Sequence, residues 1–293
     1  MSSSAANPTA AGAPRAVDRT GAGPTIVRPS RGRPSLNLRE LWSYRELLYF
    51  LVWRDVKVRY SQTFLGVAWA ILQPTLTMVA FTVFLGRLAR VPSDGAPYPL
   101  FSLAGLVPWT FFATALTLGA NSLSGNANLI DKVYFPRLLL PLASVVGSTL
   151  DFALAFGLLL VLQLAYGISP PAQVAALPLF LLLLLITTLG LVFWVSAMSA
   201  RYRDVRHAIP FLVQLLLLVT PIAYPSSLVP ERWRTLYAMN PMAGVVEGFR
   251  WSLLGIGRPP GMPMLVSSIA ALALLFTGAL YLRRAERTFA DVL

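Results

Sequence analysis

Cysteine does not occur in this sequence. Disulfides, thiolate metal sites and a cysteine nucleophile are therefore excluded. Histidine occurs once, at His207, and lysine twice, at Lys57 and Lys132. Neither lysine follows a glycine, so no G-x-x-x-x-G-K-[ST] loop is present to cradle nucleotide phosphates. No H-E-x-x-H, G-x-S-x-G or D-x-D motif occurs either. Charge is scarce too: 12% of residues are charged, against about a quarter in soluble domains. These absences remove the usual signatures of an enzyme and of a soluble fold. No metal site is expected.

What remains is oily. Hydrophobic residues make up 56% of the chain, and several runs reach the roughly 20 residues that cross a bilayer as helix. The chain reads as an all-α integral membrane protein. Its net charge of +12 would suit nucleic acid in a soluble protein. Beside apolar spans, anionic headgroups and the preference of basic residues for the inner face explain it better, and no nucleic-acid partner is expected. The first 35 residues are rich in Ser, Ala, Pro and Gly and hold no aromatic residue. That composition cannot offset the entropy of ordering, and it lacks the apolar stretch of a signal peptide. Residues 1–38 are therefore expected to be a disordered cytoplasmic segment, and residues 39–293 the membrane domain.

Residues 39–60, "RELWSYRELLYFLVWRDVKVRY", place Arg39, Ser43, Glu46, Arg54 and Lys57 on one helical face. Leu41, Tyr44, Leu48, Leu51, Val52 and Val56 lie mostly opposite. An amphipathic interface helix is expected, with Trp42, Tyr49, Trp53 and Tyr60 as interfacial aromatics. Six spans follow between residues 64 and 282: Phe64–Leu85, Phe101–Leu118, Leu138–Leu164, Val174–Met198, Ile209–Ile222 and Met264–Leu282. With the N-terminus inside, 18 of the 24 basic residues fall in inner segments, so both termini are expected in the cytoplasm. The connection from Ala223 to Pro263 is outside, yet largely apolar and interrupted at Asn240-Pro241. Two half-helices dipping in from outside fit it better than a cap lying on the surface.

Asp151 is the one acidic residue inside an expected span. Intramembrane ionisable groups tend to be functional; the alternative is that Ser148, Thr187 or Thr188 satisfies it structurally. Gln73, Gln163 and Gln214 also fall in spans, where helix-to-helix bonding is commoner than lining a route. Gly244-x-x-x-Gly248 fits close helix packing. His207 reads as a solvated loop histidine. The second inner loop, "SLSGNANLIDKVYFPRLLLP", sets apolar Leu129, Ile130, Val133, Tyr134 and Phe135 among polar Asn128, Asp131, Lys132 and Arg137. An exposed apolar patch with a charged rim marks a docking surface.

"WRDVKVRYSQTFLGVAWAILQP", "NLIDKVYFPRLLLP", "ARYRDVRHAIPF", "TPIAYP", "NPMAGVVEGFRW" and "RRAERTFADVL", in this order, resemble the permease subunit of type-2 ABC exporters of cell-surface polysaccharide. That group moves O-antigen, capsule or teichoic-acid chains. The resemblance runs from about residue 39 to the C-terminus. It implies a homodimer of six-span permeases in the inner membrane with two ATPase subunits below. ATP and Mg would be bound by that partner, and this chain would carry no cofactor. It implies that the segment with Arg54, Asp55, Lys57, Arg59 and Tyr60 lies beside the ATPase. It implies a coupling helix over Asn128–Arg137, with Asn128, Leu129, Ile130, Lys132, Phe135 and Pro136 as contacts. It also implies a re-entrant outer gate containing Asn240, Pro241, Glu247 and Arg250. Trp69, Gln73, Trp109, Phe111, Phe112 and Asp151 are candidates for the glycan path, since flat rings stack on sugar faces. An ion-coupled secondary transporter is the first rival, but it would want paired intramembrane carboxylates. A membrane-embedded scaffold or glycosyltransferase is the second; the enzyme would want an acidic motif.

Overall fold

Apolar windows of the sequence become long helices in a computed structural model, which describes residues 38–61, 66–133 and 135–286. Among these residues the secondary structure is helical, with no strand. The elements are α1 (Leu38–Ser43), α2 (Arg45–Ser61), α3 (Ala68–Phe81), α4 (Tyr98–Ser122), α5 (Ala127–Lys132), α6 (Leu139–Ala165), α7 (Leu177–Arg201), α8 (Arg203–Val219), α9 (Glu231–Tyr237), α10 (Pro241–Leu254) and α11 (Met262–Glu286). A π-helical stretch, Thr82–Leu88, extends α3. The segment expected to be disordered, 1–38, lies outside the described residues except for Leu38. The expected first-span start at Phe64 and the chain end after Glu286 lie outside them as well.

Five stretches are long and apolar enough to cross a membrane: Ala68–Leu88, Tyr98–Ser122, Leu139–Ala165, Ala172–Arg201 and Met262–Glu286. They correspond to the first, second, third, fourth and sixth expected spans. The fifth expected span, Ile209–Ile222, falls within the shorter α8 and the turn beyond it. The 17 residues of α8 extend about 25 Å at 1.5 Å per residue, and its first turn carries Arg203, Asp204 and Arg206. It stops because Pro221 follows. A residue before proline is pushed out of the helical region, and Thr220 is extended (φ −87°, ψ 139°).

α4 is the hub, packed by α3, α6, α7, α8 and α10. Most of its length is buried, whereas in α3 only Pro74 is. Small residues let α7 and α11 approach backbone to backbone. A Cβ on Gly190 would sit 2.6 Å from the Leu275 nitrogen, a closeness only glycine allows.

The interface segment differs from the expected flat, unbroken helix. It breaks at Tyr44, where the chain tightens through a bond from Tyr44 N–H to the Leu41 carbonyl (3.2 Å). α2 then runs beside α6 in the same direction. Leu51 is buried in a cluster with Leu139, Leu140 and Ala143, a Cβ on Gly147 would touch Val56 (3.9 Å), and Arg59 meets Asp151. α2 therefore leans on the first half of α6. Trp42, Tyr49 and Trp53 stay exposed, as aromatics of a membrane interface do.

Candidate coupling, cleft and outer-end sites

One end of the bundle gathers α2, α5, the start of α6 and the ends of α7 and α11 around Leu51, Ile130, Phe135, Leu139, Ala197 and Leu282. This corrects the reading of the Asn128–Pro136 loop as a continuous exposed apolar patch. Ile130 is 9% exposed and Phe135 4%. Pro136 is buried and Leu129 half-buried. The cause is local. α5 ends at Val133, which is extended (φ −131°, ψ 129°), and the chain turns back so that Phe135 enters the chain's own core. The Arg137 N–H then donates to Glu286 Oε1, and its guanidinium to the Glu286 carbonyl, both at 2.9 Å. Asn128, Lys132 and Val133 remain exposed. Tyr134 lies outside the described residues.

The charges on α2 separate. Arg54 pairs with its neighbour Asp55 at 2.8 Å, and Lys57 is exposed. Arg59 turns into the bundle and donates to Asp151 Oδ2 at 2.5 Å. Asp151 is thus bound by a residue that the sequence reading assigned to the ATPase side, and not by Ser148, Thr187 or Thr188. Ser148 donates instead to the Ser144 carbonyl and Thr188 to that of Leu184.

Arg59, Tyr60, Trp69, Gln73 and Asp151 line an open cleft of about 540 Å³ between α2, α3, α4 and α6. Four of the proposed path residues, Trp69, Gln73, Phe111 and Asp151, meet there. Trp109 and Phe112 do not. Their rings pack 5.4 Å apart and border a separate hollow of about 290 Å³ with Thr187, Thr220, Asn240 and Pro241. Helical rotation explains the split. At about 100° per residue, Thr110, Phe111 and Thr114 face the cleft while Trp109 and Phe112 face away from it.

The other end is organised by α10. Asn240 is its N-cap: Oδ1 accepts from Met242 N–H (3.1 Å), Nδ2 donates to Thr220 Oγ1 (3.0 Å), and Pro241 takes the first helical position. α10 is almost wholly buried against α4, α7 and α11, so it is no surface cap. Gly244 and Gly248 make that possible: a Cβ on Gly244 would lie 2.7 Å from Ser267, and one on Gly248 would meet the Phe180 ring. Gln163 donates to the Leu253 carbonyl (2.7 Å), which is the helix-to-helix role expected of it.

Arg250 is 4% exposed. It donates to the carbonyls of Phe101 (3.2 Å), Pro221 (2.5 Å) and Ile222 (2.6 Å), and its guanidinium lies 3.6 Å from the Phe101 ring centroid. It therefore satisfies the carbonyls freed where α8 breaks. Tyr98 adds a bond to the Ala223 carbonyl (2.6 Å). Glu247 instead lines a third cavity, at this end of the bundle, of about 330 Å³ with Asp94, Arg234, Tyr237 and Arg258. Burial raises the Tyr237 phenol above its ordinary value, and the hydrogen-bonded Tyr224 hydroxyl raises it further. Sequence reasoning missed Gly105, whose Cβ would stand 3.0 Å from Arg250 Nη2. Nothing in a run of apolar residues announces a guanidinium arriving from 145 residues away. Among the described residues, no group of three or more His, Asp or Glu gathers as a metal site.

A family model described as ABC-2 type transporter matches residues 46–254. The O-antigen export system permease protein RfbA of Myxococcus xanthus is 33% identical over 258 residues, covering 87% of this chain and 98% of that protein. An RfbA of Klebsiella pneumoniae is 30% identical, covering 70% of this chain and 79% of that protein. The polysialic acid transport protein KpsM of Escherichia coli is 24% identical, covering 80% and 91%.

Proposed function

The chain belongs to the ABC-2 type transporter family, and we propose that it is the permease subunit of an ATP-driven exporter moving lipid-linked polysaccharide across the cytoplasmic membrane. Its family places it as a multi-pass inner-membrane subunit whose ATPase is a separate chain; it is not itself an enzyme. That membership also sets aside the ion-coupled and glycosyltransferase readings. The near full-length likeness to an O-antigen export permease carries the assignment of cargo.

The working assembly is two copies of this chain over two ATPases, with ATP and Mg held by the ATPases and both termini cytoplasmic. α5 and α2 meet the ATPase through Asn128, Lys132, Val133 and the Arg54–Lys57 stretch. A ligand shifts a gate only through contacts that differ between its two states, and these segments supply them. α8 completes the sixth crossing. α9 and α10 dip from outside and close the exit, with Arg250 holding the α8 break in place and Glu247 facing the outer cavity. Trp69 and Gln73 line the inner entrance, and Trp109 and Phe112 a wall further along. Deleting the gene should abolish surface polysaccharide in immunostaining. Restoring the chain with its ATPase should bring it back, while the ATPase alone should not. Unchanged surface polysaccharide in the deletion strain would reject the proposal.

A further inference from the structure

The ion pair in the cleft joins two segments that lie 92 residues apart. Neither partner is sealed: the side chains of Arg59 and Asp151 are 23% and 19% exposed. Among the residues lining the cleft, Arg59 is the one cation and Asp151 the one anion. Asp151 stands near the middle of α6, a helix of 27 residues. Charge at such depth is costly and commonly marks a route for cargo. A pair left open to water is screened and adds little to stability. This pair opens into a space of about 540 Å³ whose walls include the exposed ring of Trp69 and the rings of Phe111 and Phe152.

On the proposed function as premise, we infer that Arg59 receives the phosphate-type headgroup of the lipid-linked cargo, and that Asp151 is its resting partner, displaced when the headgroup enters. A phosphate offers the guanidinium the same forked, charge-assisted geometry as a carboxylate. The aromatic walls suit the apolar chain attached to the headgroup. The exchange would be felt beyond the cleft. Arg59 lies in the last turn of α2, so losing Asp151 releases that end of the helix from α6 while Leu51 and Val56 still pack its earlier turns. α2 also carries Leu51 into the cluster that holds Ile130 and Phe135, directly behind the exposed face of α5. Arrival of cargo is thereby linked to the ATPase-facing end.

The test uses the permease–ATPase complex in detergent, with farnesyl pyrophosphate as probe, farnesol as the tail control and sodium pyrophosphate as the free anion. Arg59→Gln should weaken farnesyl pyrophosphate binding about tenfold or more, the value of one charge-assisted contact. Arg59→Lys should keep part of it, which controls for folding. Asp151→Asn should tighten binding, because the competing carboxylate is gone. Opposite signs are the signature; a merely structural pair loses in both variants. Farnesol should be indifferent to all three. Unchanged binding in Arg59→Gln, or weakening in Asp151→Asn, overturns the inference. So does sodium pyrophosphate binding as tightly as the prenyl form, since that marks a free-anion site. A chain that restores surface polysaccharide yet fails here sinks this inference alone; one that binds as expected yet fails to restore it sinks the function reading.

Discussion

Arg250 donates to three backbone carbonyls and lies over the Phe101 ring, and Gly105 leaves the room for it. The planar fork matters more than the charge here. Lysine has neither the spread of donors nor the flat face, so Arg250→Lys should not replace it. Arg250→Met should leave the Pro221 and Ile222 carbonyls unpaired, at about 1–3 kcal/mol for each buried group. Gly105→Ala puts a methyl 3.0 Å from Nη2 and 3.3 Å from the Ile222 backbone, and the second contact cannot swing aside. Both variants should lower the thermal unfolding midpoint in detergent and reduce export in proportion. A Gly105→Ala protein with wild-type stability would show that the guanidinium has freedom the geometry denies it.

At the scale of helices, α5 separates docking from folding. Phe135 and Ile130 are core residues, so Phe135→Ala should destabilise the permease itself by about 3–5 kcal/mol, as large aromatic truncations do. The loss should appear as low yield before any ATPase is added. Asn128, Lys132 and Val133 are the exposed residues available to a partner. Lys132→Ala should weaken ATPase pull-down mildly and mainly at low salt, and Val133→Asp should weaken it strongly while leaving the permease folded. Normal pull-down with Val133→Asp would remove α5 from the interface. α10 gives a second case. Gly244→Val would drive a branched side chain into Ser267, whose hydroxyl now donates to the Ala238 carbonyl (2.7 Å). Overpacking of this kind costs about 1–3 kcal/mol, and the expected readout is a lower unfolding midpoint with protease sensitivity near α9.

For the whole molecule, the two ends of the bundle differ in kind. One end joins α2, α5 and the close of α11; the other joins α10, the α8 break and the start of α4. The inner basic segments of the sequence count include Lys132, Arg137, Arg283 and Arg284, and these belong with the first end. Reporter fusions at residues 1 and 293 should therefore both read as cytoplasmic. An external C-terminus would mean that α8 does not cross. Because the chain has no cysteine, single-cysteine labelling offers an independent check with no background to remove: positions 133 and 258 should label from opposite sides.

Contiguous residues determined a good deal by themselves. A bilayer demands about 20 apolar residues per crossing, so five long helices could be placed from hydropathy alone. The interruption at Asn240-Pro241 and the small-residue spacing of Gly244 and Gly248 were legible because helix breaks and close packing have local requirements; that Asn240 caps α10 was not read from the sequence. Other features depend on how far each helix turns and slides against its neighbours, which no local window records. Tertiary packing alone decided that Ile130 and Phe135 are inside, that Trp109 faces away from Trp69, and that Gly105 faces Arg250. It also decided that Arg59 finds Asp151, because the offset between α2 and α6 is set by the fit of Leu51 and Val56 against α6. An ion pair between distant residues is a consequence of that fit, and it exists only once the helices have met.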